Sequence, residues 1–260
     1  MNDTLVNYPF FESRGIKIPL FPRILNYGLD RFDLIASAID QLPEKDLEWG
    51  KIPLLVNEAS YLRFISDLSG VSVPQIVEYL NDFLCDDIFR EEMSGQLEEL
   101  NKLKSAGDLR FHAITLYLLV RAVKPTFMIE TGVAQGKSSA FILVAMEHNQ
   151  CGSLISIDLP PDGNLADGST TNMEGRQTGW LVPQRLLHRW DLMLGDSIKF
   201  ISQAVEKTMP HGVDIFLHDS LHTYAHTTSE LELIDVGMAK SSNSNPMYLC
   251  DNIDMECGFA

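Results

Sequence analysis

The 260-residue sequence predicts an α/β domain built on a doubly wound, mostly parallel sheet, preceded by a helical extension. Three observations carry this. From Leu109 onward, short apolar runs alternate with longer stretches of helical period. A glycine-bearing turn joins the first of these runs to the helix behind it. The runs close on oxygen-bearing residues: Asp158, Asp196, Asp219, and the adjacent Asp251 and Asn252. Alternation of this kind builds βαβ units, with helices on both faces of a parallel sheet.

The elements follow in order. "LRFHAITLYLLVRAV" reads as a helix stopped by Pro125, "FMIE" as a strand and "KSSAFILVAMEHN" as a helix. "SLISID" is a strand, followed from Pro160 to Gly179 by a Gly- and Pro-containing stretch too polar for a core. "WDLMLGD" is a strand and "SIKFISQAVEKT" a helix. "VDIFLHD" is a strand and "TYAHTTSELELIDVGMA" a helix, and "MYLCD" is the last strand. Residues 1–107 form an arm and helical cap, and 108–260 the α/β domain. Within the cap, residues 1–50 mix Pro, aromatics and charges without a period and read as irregular. "NEASYLRFISDLSG" reads as a helix ending at Gly70. Ser72 and Gln75 have the spacing of a capping box, with Pro74 in the first turn. "IFREEMSGQLEELNKLKSAG" is a third, more polar helical stretch.

Composition excludes several classes. A net charge of −16 lacks the Lys and Arg surplus that neutralises phosphates, so nucleic acid is not an expected partner. Four cysteines without a C-x-x-C pair indicate neither a zinc knuckle nor a redox dithiol. They do not make a disulfide scaffold, and a reducing cytoplasm is the expected compartment. The longest apolar run, "AITLYLLV", falls short of the roughly 20 residues a membrane span needs, and the N-terminus does not read as a secretory signal.

The glycine turn is the first piece of chemistry. After "FMIE" come Thr131, Gly132, Gly136, Lys137, Ser138 and Ser139. Glycines let backbone approach a ligand, and the following helix start offers N–H groups. The glycines are four apart, which matches neither the dinucleotide pattern nor a phosphate-binding P-loop. Asp158 sits where a carboxylate accepts hydrogen bonds from ribose hydroxyls. With Asp196, it makes the strand-end surroundings acidic. That disfavours a pyrophosphate and suits a ligand with a positive centre, such as the sulfonium of S-adenosylmethionine. Asp219, Asp251 and Asn252 supply two carboxylates and an amide oxygen, a donor set for a hard divalent cation such as Mg²⁺. "HDSLHTYAH" offers a competing zinc reading through His218, His222 and His226, disfavoured because no cysteine or third well-spaced ligand follows. The plainer readings are a helix cap for His222, a solvated helix face for His226, and surface acids for Asp254 and Glu256.

Residues 108–256 resemble a class I S-adenosylmethionine-dependent methyltransferase. "IETGVAQGKSS" is similar to the loop of metal-dependent O-methyltransferases of the catechol type, which keep a Lys three residues after the first metal Asp where related sugar O-methyltransferases have a His, as at His222 here. "GWLVPQRLLHRWDLMLGDS" and "DIFLHDSLHTYAHTTSELELI" resemble a bacterial group associated with polysaccharide and secondary-metabolite pathways. The resemblance implies a Rossmann-like methyltransferase fold. It implies cofactor contacts from Glu130, Gly132, Gly136, Ser138, Ser139, Asp158, Asp196 and Ser197. It implies metal ligation by Asp219, Asp251 and Asn252, and a base at His222, three residues past Asp219. The expected activity is O-methylation of a hydroxyl on a sugar or small natural product, with Mg²⁺. In the family the sheet continues with two more strands, for which the nine residues after Asp251 leave no room. Two further expectations follow: a homo-oligomer covering the exposed sheet edge, and, as the rival function, a non-catalytic cofactor-binding or scaffold subunit. A hydroxylase-like or hydrolytic metal enzyme on the same fold is a third reading.

Overall fold

In the computed structural model, five strands form one parallel sheet in the order β5-β4-β3-β6-β7. The described residues are 10–13, 16–19, 65–89, 91–93, 96, 112–161, 175–239, 241–243 and 246–250. The chain divides into two compact units, Met1–Val123 and Lys124–Ala260. The boundary expected between 107 and 108 lies outside the described residues.

In the first unit, β1 (Phe10–Ser13) and β2 (Ile16–Pro19) pair antiparallel as a hairpin. This differs from the irregular arm expected there. Two four-residue strands are too short to display a period of two against their Pro-rich neighbours. Residues 65–69 are helical, as the pattern before Gly70 predicts. Helix α1 (Val73–Leu84) buries Ile76, Tyr79, Leu80 and Phe83, spaced three and four apart on one face. Ser72 is its N-cap, but the expected capping box does not form. The Ser72 side chain makes no cap bond, and the Gln75 amide donates forward to Glu78. Helix α2 (His112–Val123) buries Leu116 to Val120 without a break. Arg121 of α2 pairs with Asp82 of α1 and lies 4.4 Å over the Tyr79 ring. Of the third helical stretch expected in the cap, residues 88–89, 91–93 and 96 are helical and the rest lies outside the described residues.

The second unit holds β3 (Phe127–Thr131), α3 (Lys137–Asn149), β4 (Ser153–Asp158), β5 (Trp190–Leu194), α4 (Ser197–Thr208), β6 (Ile215–His218), α5 (Tyr224–Met238) and β7 (Met247–Cys250). A 3₁₀ helix, Gln184–Arg189, precedes β5. Every pairing in the sheet is parallel. The strands follow the sequence-predicted runs: β5, β6 and β7 are trimmed at their ends, β4 is unchanged, and β3 runs one residue further, to Thr131. Sheet growth runs outward from β3 through β4 to β5, then returns to the other side of β3 with β6 and β7. The strand order therefore reverses at β3 and β6, the crevice where open α/β sheets bind ligands.

Side-chain alternation along β3 sorts the two faces. Glu130 meets Ser138 and Ser139 of α3 on one face, while Thr131 meets Glu230 of α5 on the other. Helix α3 is buried along Ser138 to Met146, which explains why its sequence is apolar nearly all round. On the opposite face, α4 and α5 close a core of Ile129, Ile157, Ile201, Val205, Phe216 and Ile234. Among the described residues, no helix is long and apolar enough to cross a membrane.

Candidate active site

At the switch point the glycine loop touches the end of β6. Gly132 has φ +84°, and a Cβ there would lie 1.9 Å from the Asp219 carbonyl oxygen. Only glycine satisfies both constraints. The two segments are bonded as well: the Asp219 N–H donates to the Thr131 carbonyl at 2.8 Å, and the Gly132 N–H to the Ile157 carbonyl at 2.9 Å. Gly136, at φ +90°, starts α3 and faces Gly179, whose Cα lies 2.7 Å from where its Cβ would be. The Gly179 and Leu181 N–H groups donate to the carbonyls of Ala134 and Gln135. The loop from 132 to 136 is thus clamped between β6 and the 179–182 turn.

Asp158 closes β4 and turns its carboxylate onto this loop. It accepts from the N–H groups of Val133 at 3.1 Å, Ala134 at 2.7 Å and Leu159 at 2.7 Å. Burial pushes its pKa up, and the three backbone donors oppose that. Asp158 therefore organises the loop. Asp196 is the N-cap of α4, accepting from the Ile198 N–H at 3.1 Å, with Lys199 3.4 Å away. Part of its carboxylate is open to solvent.

Several residues expected to touch a cofactor are engaged inside the fold. Glu130 is fully buried. It accepts from Ser138 at 2.5 Å, Ser139 at 2.6 Å and Ser156 at 2.8 Å, and Trp190 donates to Ser156 in turn. Burial raises the Glu130 pKa despite the three hydroxyls. Ser138, Ser139 and Glu130 shape the start of α3 from beneath. The Ser197 hydroxyl donates to Glu230 and lies 3.2 Å from His226 Nε2.

Asp219 and His222 sit together beyond β6, each about a quarter exposed, with His222 Nε2 3.7 Å from Asp219 Oδ1. His222 does not cap α5, since Thr223 does, accepting from the His226 N–H. The two neighbouring histidines serve Glu230. His218 is buried, its Nδ1 2.7 Å from Glu230 Oε2 and its Nε2 2.9 Å from Thr227 Oγ1. His226 faces inward, its Nε2 2.9 Å from Glu230 Oε1, which replaces the solvated helix face expected of it. Burial pushes the Glu230 carboxyl up, but the bonds from His218, His226, Ser197 and Thr131 outweigh it and hold the acid well below the usual range. Sequence reading passed over Glu230, although a signal existed. Thr227, Glu230 and Ile234 recur three and four apart, so the acid lies in phase with the buried stripe of α5.

Asp251 and Asn252, with Asp254 and Glu256, lie outside the described residues. The register of the last two strands is described, and it pairs His218 with Cys250. Asp219 follows the first of these in the chain and Asp251 the second.

Residues 129–242, from β3 to just past α5, match a family model described as a methyltransferase domain. No curated protein matches the chain. Among solved structures, the chain is similar to an SAH-bound methyltransferase of Podospora anserina, at 14% identity and TM-score 0.43, over 64% of this chain and 62% of that one. It is similar to an O-methyltransferase from Bacillus cereus in complex with SAH, at 19% identity and TM-score 0.39, over 60% and 66%. It is also similar to the O-methyltransferase TomG from Streptomyces achromogenes, in complex with SAM and involved in tomaymycin synthesis, at 16% identity and TM-score 0.37, over 57% and 60%. The chain spans less than two thirds of the length of each of these. The segment that resembles a methyltransferase domain lies on the doubly wound parallel sheet.

Proposed function

We propose that the chain is an S-adenosylmethionine-dependent O-methyltransferase, assisted by a divalent metal, acting on a hydroxyl of a sugar or small natural product. One observation carries the reading. The glycine loop and Asp219 meet at the switch point, within the segment that matches a methyltransferase domain.

The chain's residues divide the work. Gly132 and Gly136 let the loop pack against Asp219 and Gly179, and so set the shape of the edge that would receive the cofactor. Asp158 and Asp196 bring carboxylates to the neighbouring strand ends. Their charge suits a sulfonium better than a phosphate ligand. Asp219, Asp251 and Asn252 are the oxygen donors for the metal, a set that suits Mg²⁺. The parallel register that pairs His218 with Cys250 supports drawing these donors from adjacent strand ends. When bound, the metal lowers the pKa of the acceptor hydroxyl. His222, whose Nε2 lies beside Asp219, takes the proton from that hydroxyl. The loop and strand ends hold the two reactants in line, and positioning of this kind supplies much of the rate.

The test is transfer of labelled methyl from S-adenosylmethionine to a panel of sugars and phenols, with and without EDTA. Turnover should require the metal. His222→Ala should lose roughly 10²–10⁴-fold in rate, the contribution of a general base, while affinity for S-adenosylhomocysteine holds. Turnover that survives His222→Ala unchanged would refute the base, and turnover that survives EDTA would refute the metal. Absence of S-adenosylhomocysteine binding would sink the methyltransferase reading itself.

A further inference from the structure

The proposed roles leave out one carboxylate that ties together the end of β3, the start of α4 and the segment around Asp219. Glu230 of α5 is fully buried and gathers five partners. Thr131 Oγ1 donates to it at 2.7 Å from the end of β3, one residue before Gly132. His218 Nδ1 at 2.7 Å and Ser220 Oγ at 2.8 Å reach it from the two residues flanking Asp219. Ser197 donates from the first turn of α4, and His226 Nε2 lies 2.9 Å away. An ionised carboxylate only accepts, so the imidazole nitrogens facing it carry protons. His218 Nε2 lies 2.9 Å from Thr227 Oγ1, which ties the ring to α5 as well.

The arrangement is more specific than a satisfied core acid requires. Asp219 is gripped from both sides in sequence, through residues 218 and 220, by one side chain. The same carboxylate holds Thr131, whose carbonyl accepts the Asp219 N–H. Asp219 and Gly132 therefore share a common anchor although 87 residues separate them (219 − 132). We propose that Glu230 is a positioning residue: from inside the fold it fixes the Thr131–Gly132 and His218–Ser220 segments together, and so aims the Asp219 carboxylate into the site. This rests on the methyltransferase reading for what Asp219 does there, but not for where Glu230 holds it.

The experiment uses the full chain and Glu230→Gln, which keeps the size of the side chain but replaces one acceptor oxygen with a donor. Mn²⁺ binding is followed by electron paramagnetic resonance, alongside S-adenosylhomocysteine titration and steady-state kinetics. Residues that orient a metal ligand typically contribute about 10–100-fold to metal affinity or activity. Mn²⁺ affinity and kcat should fall by about that factor, with KM for S-adenosylmethionine unchanged. Unchanged Mn²⁺ affinity and kcat in a folded variant would overturn the proposal. Wild-type protein that binds no Mn²⁺ would count against the metal reading alone. The anchor is then read from hydrogen exchange at the Gly132 and Asp219 amides, which Glu230→Gln should accelerate on the order of 10-fold. Unchanged exchange would overturn the proposal. If Glu230→Gln does not fold, Ser220→Ala and Thr131→Val each remove one tie to the same carboxylate. Faster exchange at the two amides in these variants supports the anchor, and unchanged exchange overturns it.

Discussion

Gly132→Ala tests the contact on which the site depends. Two costs add. At φ +84° an L residue is strained by about 1–2 kcal/mol. The new Cβ would stand 1.9 Å from the Asp219 carbonyl oxygen, and real Cβ contacts essentially never fall below 3.0 Å, so backbone must retreat by at least 1.1 Å (3.0 − 1.9). Forcing such a shift in a packed region costs typically 1–3 kcal/mol. The expected loss is about 2–5 kcal/mol in all. Gly70→Ala supplies the reference, because Gly70 has φ +73° and nothing within 4 Å of its Cβ position. It should show the conformational cost alone, about 1–2 kcal/mol. Urea unfolding of both variants, extrapolated linearly, measures the difference. Methyl transfer adds a second reading. A displacement near 1 Å between the loop and Asp219 should lower the rate on the order of 10²-fold. If Gly132→Ala costs no more than Gly70→Ala and leaves the rate intact, the loop and Asp219 are not in contact, and the site argued from that contact falls.

Two further substitutions probe the carboxylates around the loop. Asp158→Ala should weaken S-adenosylhomocysteine binding by about 1–3 kcal/mol, because it removes a charged acceptor and leaves the Val133 and Ala134 N–H groups without theirs; calorimetric titration showing unchanged affinity would remove Asp158 from the cofactor site. Glu130→Gln separates charge from shape. Burial raises the Glu130 pKa in the folded state, so its contribution to stability is fully present below the unfolded value, near 4.5, and is lost as pH rises through the folded value. Glutamine mimics the protonated acid, so the stability of wild type relative to Glu130→Gln should decline as pH rises above 4.5. A difference that stays flat with pH across urea-unfolding curves would show that Glu130 is not strained by its burial.

The fold was legible because periods of two and 3.6 persist under any packing. The strands from "FMIE" to "MYLCD" appear in order, and Asp158, Asp196 and Asp219 stand at or just beyond strand ends. What the sequence does not encode is the direction a strand-end side chain takes. Ser138, Ser139 and Ser197 occupy the positions expected of cofactor contacts, yet their hydroxyls turn inward to Glu130 and Glu230. Position along the chain locates them at helix starts, and only the sheet's pleat decides which face they meet. The capping box read at Ser72 and Gln75 does not form, because the Gln75 side chain donates forward to Glu78 and does not reach back to the N-cap. The zinc reading through His218, His222 and His226 is disfavoured in the sequence, but the sequence does not reveal what His218 and His226 hold instead. Their common partner, Glu230, lies 12 and four residues further on, where a single acid in a leucine-containing helix reads as surface.

The two buried glutamates together explain why this loop holds its shape before any ligand arrives. Glu130 and Thr131 are consecutive on β3, and the pleat sends them to opposite faces. Glu130 binds the start of α3 above the sheet through Ser138 and Ser139. Thr131 reaches Glu230 below it, and through that carboxylate the start of α4 and both neighbours of Asp219. The residue immediately after this pair is Gly132, where the backbone leaves the strand at positive φ. The loop is therefore anchored from both layers one residue before it turns. The two acids are not equivalent. Burial dominates at Glu130 and favours its neutral form, whereas hydrogen bonds from two imidazoles and two hydroxyls dominate at Glu230 and favour its charge. The charged acid is the one that holds Asp219. A fixed negative charge behind an acidic ligand is unfavourable unless it is neutralised locally. The ring N–H groups of His218 and His226 and the Ser197, Ser220 and Thr131 hydroxyls surrounding Glu230 do so. On this account His218 and His226 let a buried carboxylate stay ionised behind Asp219, while His222 lies beside Asp219 itself.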